Sequence, residues 1–384
     1  MTIGLLKEPE GENRVALLPE SVKALIALKA NITVELGAGD LAFATDTDYE
    51  TIGAKTADRS AVLACDVIVG INPPNNHEIS QLKTEQVLLC VFQPMTNRAL
   101  VEKLMDGGIT SFSMDNIPRT TRAQAMDVLS SMATVAGYKA VLMAASHSPR
   151  FFPMFMTAAG SIIPSKVLVL GAGVAGLQAI ATARRLGAVV EAFDVRAAAE
   201  EEVKSLGAKF VKVEGAKDES TAGGYAVEQS EEYKAKQRAL VQEHAAKSNI
   251  IITTAQIPGR KAPILITDET IQRMPKGSVI VDLAASTGGN CEGTENNKII
   301  HKHGVCIIGD SNLASTLPMD ASKMFGKNML NFLKLIIDAE GNLNLNFEDD
   351  IVVNTCVTHA KEVMSERIKT SFSNLKTHKL WRVY

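Results

Sequence analysis

The stretch that most constrains this chain is residues 166–196, KVLVLGAGVAGLQAIATARRLGAVVEAFDVR. Its opening run, Val167-Leu168-Val169-Leu170, is short, apolar and β-branched at alternate places, as in a strand buried on both faces. Gly171-Ala172-Gly173-Val174-Ala175-Gly176 follows at once, and an apolar helical pattern begins inside it. In such a turn Gly171 permits the tight bend, Gly173 lets backbone approach a pyrophosphate, and Gly176 lets the helix pack close to the strand. The helix N-terminus then offers N–H groups and a positive dipole end to phosphate. A second strand, residues 189–193, ends on Asp194, where an acid binds the adenosine ribose of a dinucleotide. With all these parts in order inside one βαβ unit, a glycine turn that serves packing alone is the weaker reading. A carboxylate at Asp194 bonds both ribose hydroxyls of NAD(H) and repels the 2′-phosphate of NADP(H). Arg196 partly offsets that repulsion, and the balance favours NAD(H).

At 384 residues the chain has room for two domains or three, each able to bury a core. A net charge of −3 argues against wholesale nucleic-acid binding. The five cysteines (65, 90, 291, 306 and 356) are never spaced as metal ligands and read as reduced core residues in a cytosolic compartment, so no metal site is expected. The N-terminus becomes charged too soon for a secretory leader. No run of about 18 apolar residues stands out, so the chain is not expected to span a membrane by itself.

The N-terminal third alternates short apolar runs with helical patterns. Residues 3–6, 32–36, 66–71, 87–92 and 109–114 read as strands, and 19–28, 79–82 and 97–105 as helices. No glycine fingerprint follows the first strand. Further along, Thr121 with Gln124 fits a capping box for a helix reaching about residue 145. Arg119, Gln124, Asp127 and Ser130 cluster near its start. From spacing alone, a solvated helix end is slightly favoured over a site. Residues 148–165 read as a connector. Past the glycine unit, residues 209–213, 249–254, 278–283 and 305–309 complete six strands. Thr254, Ala255, Gln256, Leu283 and Gly309 fall at their carboxyl ends, where the crevice of a doubly wound sheet opens. With the turn from Gly171 through Ala172, Gly173, Val174 and Ala175 to Gly176, and with Asp194, Val195 and Arg196, they are the candidate cofactor contacts. Residues 214–233 are too long and polar for a simple turn. They are either a surface insertion or a lid that closes Tyr225 over the cofactor. Residues 317–337 form an amphipathic helix, 343–347 and 351–353 look strand-like, and 367–384 form a basic, aromatic tail. That tail reads as a frayed terminus or, less favoured, as a docking segment for a membrane surface or membrane-bound partner.

The fold class expected is α/β: two doubly wound Rossmann-like domains joined by long helices. Residues 1–130 and 325–384 form the first, discontinuous domain, and 131–324 the second, dinucleotide-binding one.

In combination, Pro118-Arg119, Arg122-Ala123-Gln124, Met126-Asp127, Ala136-Gly137-Tyr138, Met156-Thr157-Ala158-Ala159-Gly160, Gly171 to Gly176, Gly223-Gly224-Tyr225, Pro258-Gly259 and Gly288-Gly289-Asn290-Cys291 resemble the NAD(H)-binding domain I, or alpha subunit, of proton-translocating nicotinamide nucleotide transhydrogenases. The resemblance implies hydride transfer between NAD(H) here and NADP(H) on a partner domain, coupled to proton movement. It implies a homodimer on the cytoplasmic face of a membrane, with a membrane domain II and an NADP(H)-binding domain III as partners. It also implies that Arg119, Asp127 and Ser130 hold the nicotinamide carboxamide, that Gln124 reaches toward the partner's NADP(H), and that Tyr225 lies on a closing loop. A hydride passed directly between two nicotinamides needs no protein acid or base, which leaves positioning and the exclusion of water.

Alanine dehydrogenases share the beginning of this pattern, including an arginine matching Arg14, and supply the rival expectation of an amino-acid dehydrogenase. Their essential lysine falls near Ile71-Asn72 here, and their essential histidine within residues 89–93, where this chain has neither. The missing proton shuttle argues against that chemistry. His301 and His303 read as flanking a surface turn. An NAD(H)-sensing module would need no Arg119–Gln124–Asp127 cluster.

Overall fold

The structure, a computed structural model, describes residues 1–213, 231–257 and 260–379, with side chains as far as residue 372 in the last helix. The chain forms two compact units, Met1–Met132 with Ser315–Tyr384, and Ala133–Ala314. In chain order the strands are β1 (Thr2–Leu5), β2 (Asn31–Glu35), β3 (Lys55–Ala57), β4 (Val67–Val69), β5 (Val87–Cys90) and β6 (Thr110–Ser113). Then come β7 (Phe155–Thr157), β8 (Gly160–Ile162), β9 (Lys166–Leu170), β10 (Val189–Phe193), β11 (Lys209–Phe210) and β12 (Ile250–Thr253). The last are β13 (Val279–Asp282), β14 (Ile299–Lys302), β15 (Val305–Ile308), β16 (Cys356–His359) and β17 (Glu362–Val363).

Among the described residues the first unit holds one eight-stranded sheet, ordered β17-β16-β6-β5-β4-β1-β2-β3. Strands β1 to β6 run parallel; β16 and β17 are antiparallel additions. From β1 the chain winds to β2 and β3, then returns to β4 on the other side of β1, so the winding reverses between β1 and β4. Ile3, Leu5, Val67, Val69, Leu89 and Phe112 face one apolar core, while Ile68, Leu88 and Cys90 face the other. Helix Pro318–Ile336 contributes Phe325, Met329, Phe332 and Leu333, and the Phe332 ring lies 5.3 Å from that of Phe112.

Three C-terminal expectations need correction. Residues 351–353 lie in helix Asp350–Thr355, because Asp349 caps its first turn by accepting from Ile351 N at 2.8 Å and Val352 N at 3.4 Å. Within 343–347 only Leu343 bridges, to Ile337. The frayed tail is, over Glu366–Lys379, a helix. The return to the first unit also comes ten residues before the expected 325. Ser315 accepts from Asn13 N (2.7 Å) and Ser322 from Val15 N (2.9 Å), stitching the helix to this unit from its start.

Helix Val128–His147 begins later than a Thr121–Gln124 capping box requires. Residues Gln124–Met126 form a 3-10 turn, and Asp127 is the cap, accepting from Ser130 N at 2.9 Å and Ser130 Oγ at 2.6 Å. The expectation that no stretch reaches membrane length also needs correction. This helix is long and apolar enough to cross one by length and composition, carrying Lys139 as its one lysine or arginine. Part of its apolar surface packs in protein cores, Val128 in the first unit's and Ala140, Val141 and Ala144 in the second's, while Leu129 and Tyr138 are exposed.

The second unit's sheet has seven strands in the order β11-β10-β9-β12-β13-β15-β14, parallel except for β14. Its winding reverses between β9 and β12. The unexpected β14 pairs with β15 as a hairpin, so His301 sits on a strand, and His303, in the turn at φ 52°, lies 3.3 Å from Asp268. The connector holds a second hairpin, β7–β8, on which Phe155, Met156 and Ile162 are exposed.

Candidate functional site

At the carboxyl end of β9 the three glycines of the turn meet three different surroundings. Gly171 has φ +98°, and a Cβ there would lie 2.4 Å from Thr254 Oγ1. A Cβ on Gly176 would come within 1.8 Å of the Gly171 carbonyl oxygen, so helix Val174–Arg185 touches the turn it leaves. Gly173 has no atom within 4 Å of a Cβ built on it. The first and third glycines are demanded by the protein itself, whereas the second opens onto free space beside an N-terminus that has no side-chain cap. Val174 is 44% exposed there. Backbone N–H groups at a helix N-terminus beside open space are the arrangement that a phosphate-binding turn requires. Gly137 adds a support that spacing alone does not explain: a Cβ on it would lie 2.1 Å from Ala175 O, so the long helix packs backbone-close behind the cradle.

Asp194 ends β10 with its side chain nearly buried, and its carboxylate is fully engaged. Oδ2 accepts from Ala172 N (2.7 Å) and Arg196 Nη2 (3.1 Å), and Oδ1 from Arg196 N (2.8 Å) and Nε (3.0 Å). The two backbone bonds fix the acid against the cradle. The Arg196 side chain offsets its charge more fully than the sequence spacing suggested. Val195 is exposed between them.

The loops after β12 and β13 flank the same end of the sheet. Thr254 spends its hydroxyl on the carbonyls of Leu170 (3.3 Å) and Gly171 (3.2 Å), so it secures the turn. Ala255 is held through its N–H and its carbonyl by the Asn290 side chain, and Gln256 Nε2 donates to Leu283 O at 2.7 Å. Gly309 N donates to Lys298 O, and a Cβ on Gly309 would meet Glu295 O at 2.3 Å, so this glycine serves the β14–β15 end. Sequence reasoning missed the group beneath these loops, the buried carboxylate of Asp282. Its one signal was an acid closing an otherwise apolar strand. Tyr225, Gly223, Gly224, Pro258 and Gly259 lie outside the described residues.

The polar cluster of residues 119–130 belongs to the first unit up to Met132. Asp127 and Ser130 are in contact, while Arg119 and Gln124 are exposed. The loop is held rigidly by groups the sequence did not single out for it. Arg122 chelates Asp349 at 2.8 and 2.5 Å and also bonds Asp350, and the Ala125 carbonyl accepts from Asn328 (2.9 Å) and Asn331 (3.0 Å).

Where the first sheet's winding reverses, a ligand crevice is expected outside the strand ends. There Glu8, following β1, turns its carboxylate onto the loop after β4, accepting from Ile71 N (2.6 Å), Asn72 N (3.0 Å) and Asn72 Nδ2 (2.9 Å). Burial raises this carboxyl above the ordinary range despite those bonds. Arg14 is closed off as well, bonded by Nε (2.8 Å) and Nη2 (2.5 Å) to Glu12, with both side chains at most 10% exposed. Burial pushes Glu12 up, but the Arg14 bonds outweigh it and hold that carboxyl low. The anion-binding groups of this crevice are taken by the chain's own acids.

Two doubly wound units, with one glycine turn of dinucleotide-binding shape among the described residues, define the class of two-domain nicotinamide-nucleotide proteins. The family models agree, with the alanine dehydrogenase/PNT N-terminal domain matching residues 4–136 and its C-terminal domain residues 140–366. The chain belongs to this alanine dehydrogenase/PNT family. It is 48% identical over 369 residues, 93% of this chain and 96% of the relative, to an NAD(P) transhydrogenase subunit alpha chain of Rhodospirillum rubrum. Among solved structures, the transhydrogenase from Sinorhizobium meliloti superposes with a TM-score of 0.87 at 45% identity, covering 94% of this chain and all of that one. An L-alanine dehydrogenase superposes with a TM-score of 0.81 over 98% of this chain and all of its own, but at 24% identity it attests the fold alone.

Proposed function

We propose that this chain is the NAD(H)-binding component of a proton-translocating transhydrogenase. Hydride passes between NADH held here and NADP+ held on a partner domain, and a membrane partner couples the transfer to proton movement. The observation that carries this reading is the contrast between an open glycine cradle at Gly171–Gly176 and a first-unit crevice filled by Glu8. The Gly171–Gly176 turn leaves a place for a dinucleotide, while in the first unit the N–H groups at the corresponding strand ends are occupied by Glu8.

In this reading the N–H groups at Gly173–Ala175 hold the pyrophosphate and Asp194 the adenosine ribose, with the Arg196 side chain giving way to the ribose hydroxyls. Ala255, Gln256 and Leu283 line the nicotinamide half. Arg119, Asp127 and Ser130 hold the carboxamide, and Gln124 faces the partner's nucleotide. Bound NADH supplies the hydride. The protein's work is to orient the ring and exclude water, since no proton moves to or from a side chain. The Asp127–Ser130 bond supports this, because it fixes two polar groups with no reorganisation left to do at the moment of reaction. The component works as a homodimer at the cytoplasmic face of the membrane.

The test is to mix this chain with an NADP(H)-binding domain III and follow reduction of an NADP analogue by NADH, with alanine plus NAD+ assayed beside it. Transhydrogenation without alanine oxidation is expected. Alanine turnover, or no hydride transfer despite NADH binding, overturns the assignment.

A further inference from the structure

Asp282 closes β13, is fully buried, and accepts from five donors. Its Oδ1 takes Thr253 Oγ1 (2.9 Å) and Ala284 N (3.0 Å); its Oδ2 takes Asn290 N (2.7 Å), Cys291 N (3.1 Å) and Thr294 Oγ1 (2.7 Å). Three of these are backbone N–H groups, which can only donate, so no neutral side chain of this shape satisfies the set. The loop around it is shaped for the purpose. Gly289 stands at φ +77°, and a Cβ there would lie 2.8 Å from Asp282 Oδ2. The constraint is passed on by Asn290, also fully buried. Its Oδ1 accepts from Ala255 N (3.0 Å), and its Nδ2 donates to the carbonyls of Ala255 (2.9 Å) and Pro263 (2.8 Å). One carboxylate thus sets the end of β12, the loop after β13 and, through Asn290, the backbone at 255 and 263.

These are the loops of the second mononucleotide half of the sheet, on the far side of β9 from Asp194. We infer that Asp282, acting through Asn290, is the positioning residue for the nicotinamide half of the dinucleotide site and has no part in holding the adenosine half. The inference rests on NAD(H) binding at the Gly171 cradle. Asp194 and its bonds to Ala172 and Arg196 lie outside this network, and the Gly171 turn meets it only at Thr254, whose hydroxyl bonds the Leu170 and Gly171 carbonyls, so ADP-ribose reads that single contact and NADH reads the rest.

The experiment measures binding of NADH and of ADP-ribose, which lacks the nicotinamide, to the wild-type chain and to Asp282→Asn, Asn290→Ala and Thr294→Val. Asp282→Asn turns an NH2 group toward backbone donors. It is expected to weaken NADH about tenfold or more and ADP-ribose less than about twofold. Thr294→Val keeps the shape and removes one donor, with about threefold expected on NADH alone; it carries the test if the other variants fail to fold. Equal losses for both ligands, or none for either, overturn the inference. A wild-type chain that binds neither ligand overturns the functional reading itself.

Discussion

In the unit built on β9, the strand ends meet a glycine turn whose middle residue faces open space. In the unit built on β1, they meet Glu8, whose carboxylate has taken the N–H groups that an anion would use. Both sheets reverse their winding beside their first parallel strand, so a crevice is expected at the same topological place in each. Topology supplies the crevice, and the side chain that follows the first strand decides whether a ligand can have it. Function is therefore a property of the site and not of the fold.

The largest effect that tests this contrast is at Gly176. Gly176→Val puts atoms where the Gly171 carbonyl stands, and NADH binding is expected to fall more than about a hundredfold while the first unit melts unchanged. Its partner experiment is Gly173→Ala, which meets no atom of the protein. The fold should survive with NADH about tenfold weaker, and wild-type affinity would show that nothing approaches that backbone. Asp127→Asn comes next, with single-turnover hydride transfer to partner-bound NADP+ slowed about tenfold and NADH affinity little altered. Equal losses in rate and affinity would make Asp127 a helix cap alone.

Glu8→Ala probes the other side of the contrast. It orphans buried N–H groups and should cost the first unit about 2 kcal/mol by calorimetry, leaving NADH affinity intact, with partial recovery in formate. Because burial raises the Glu8 carboxyl, the folded state holds its proton more tightly than the unfolded chain does. Its contribution is present at acid pH and is lost as pH rises from the ordinary carboxyl value through the raised one. The stability gap between wild type and Glu8→Ala should narrow across that window. The smallest effect is at Arg196: removing its side chain frees the Asp194 charge and should sharpen the preference for NADH over NADPH severalfold.

The second unit was the more legible in sequence because its strands are buried on both faces, so Val167–Leu170 and Ile250–Thr253 appear as unbroken apolar runs. Short strands at or beside a sheet edge leave no such trace, which is why β3, β14, β16 and β17 went unread. Residues 351–353 misled because three apolar residues look alike in strand and helix, and Asp349 decides between them. The capping box failed for a related reason. Thr121 and Gln124 have the right spacing, but Asp127 is the acceptor beside the helical N–H groups. The glycine turn could be read because each glycine answers a local backbone demand. Glu8 could not, since its partners Ile71 and Asn72 lie far away in sequence, and Asp282 could not, since nothing local marks a carboxylate whose donors are mostly backbone.

The internal anion at Glu8 also has a consequence for how the molecule responds to its surroundings. A crevice closed by the chain's own anion gains nothing by mass action from dissolved ligand, whereas an open cradle gains about 2.7 kcal/mol at a hundredfold excess over the dissociation constant. Heating the chain at rising cofactor concentration should therefore raise the melting of the unit that carries the cradle more than that of the other. A falling nicotinamide pool in the cell would then leave the central unit, Ala133–Ala314, the more open to unfolding and proteolysis.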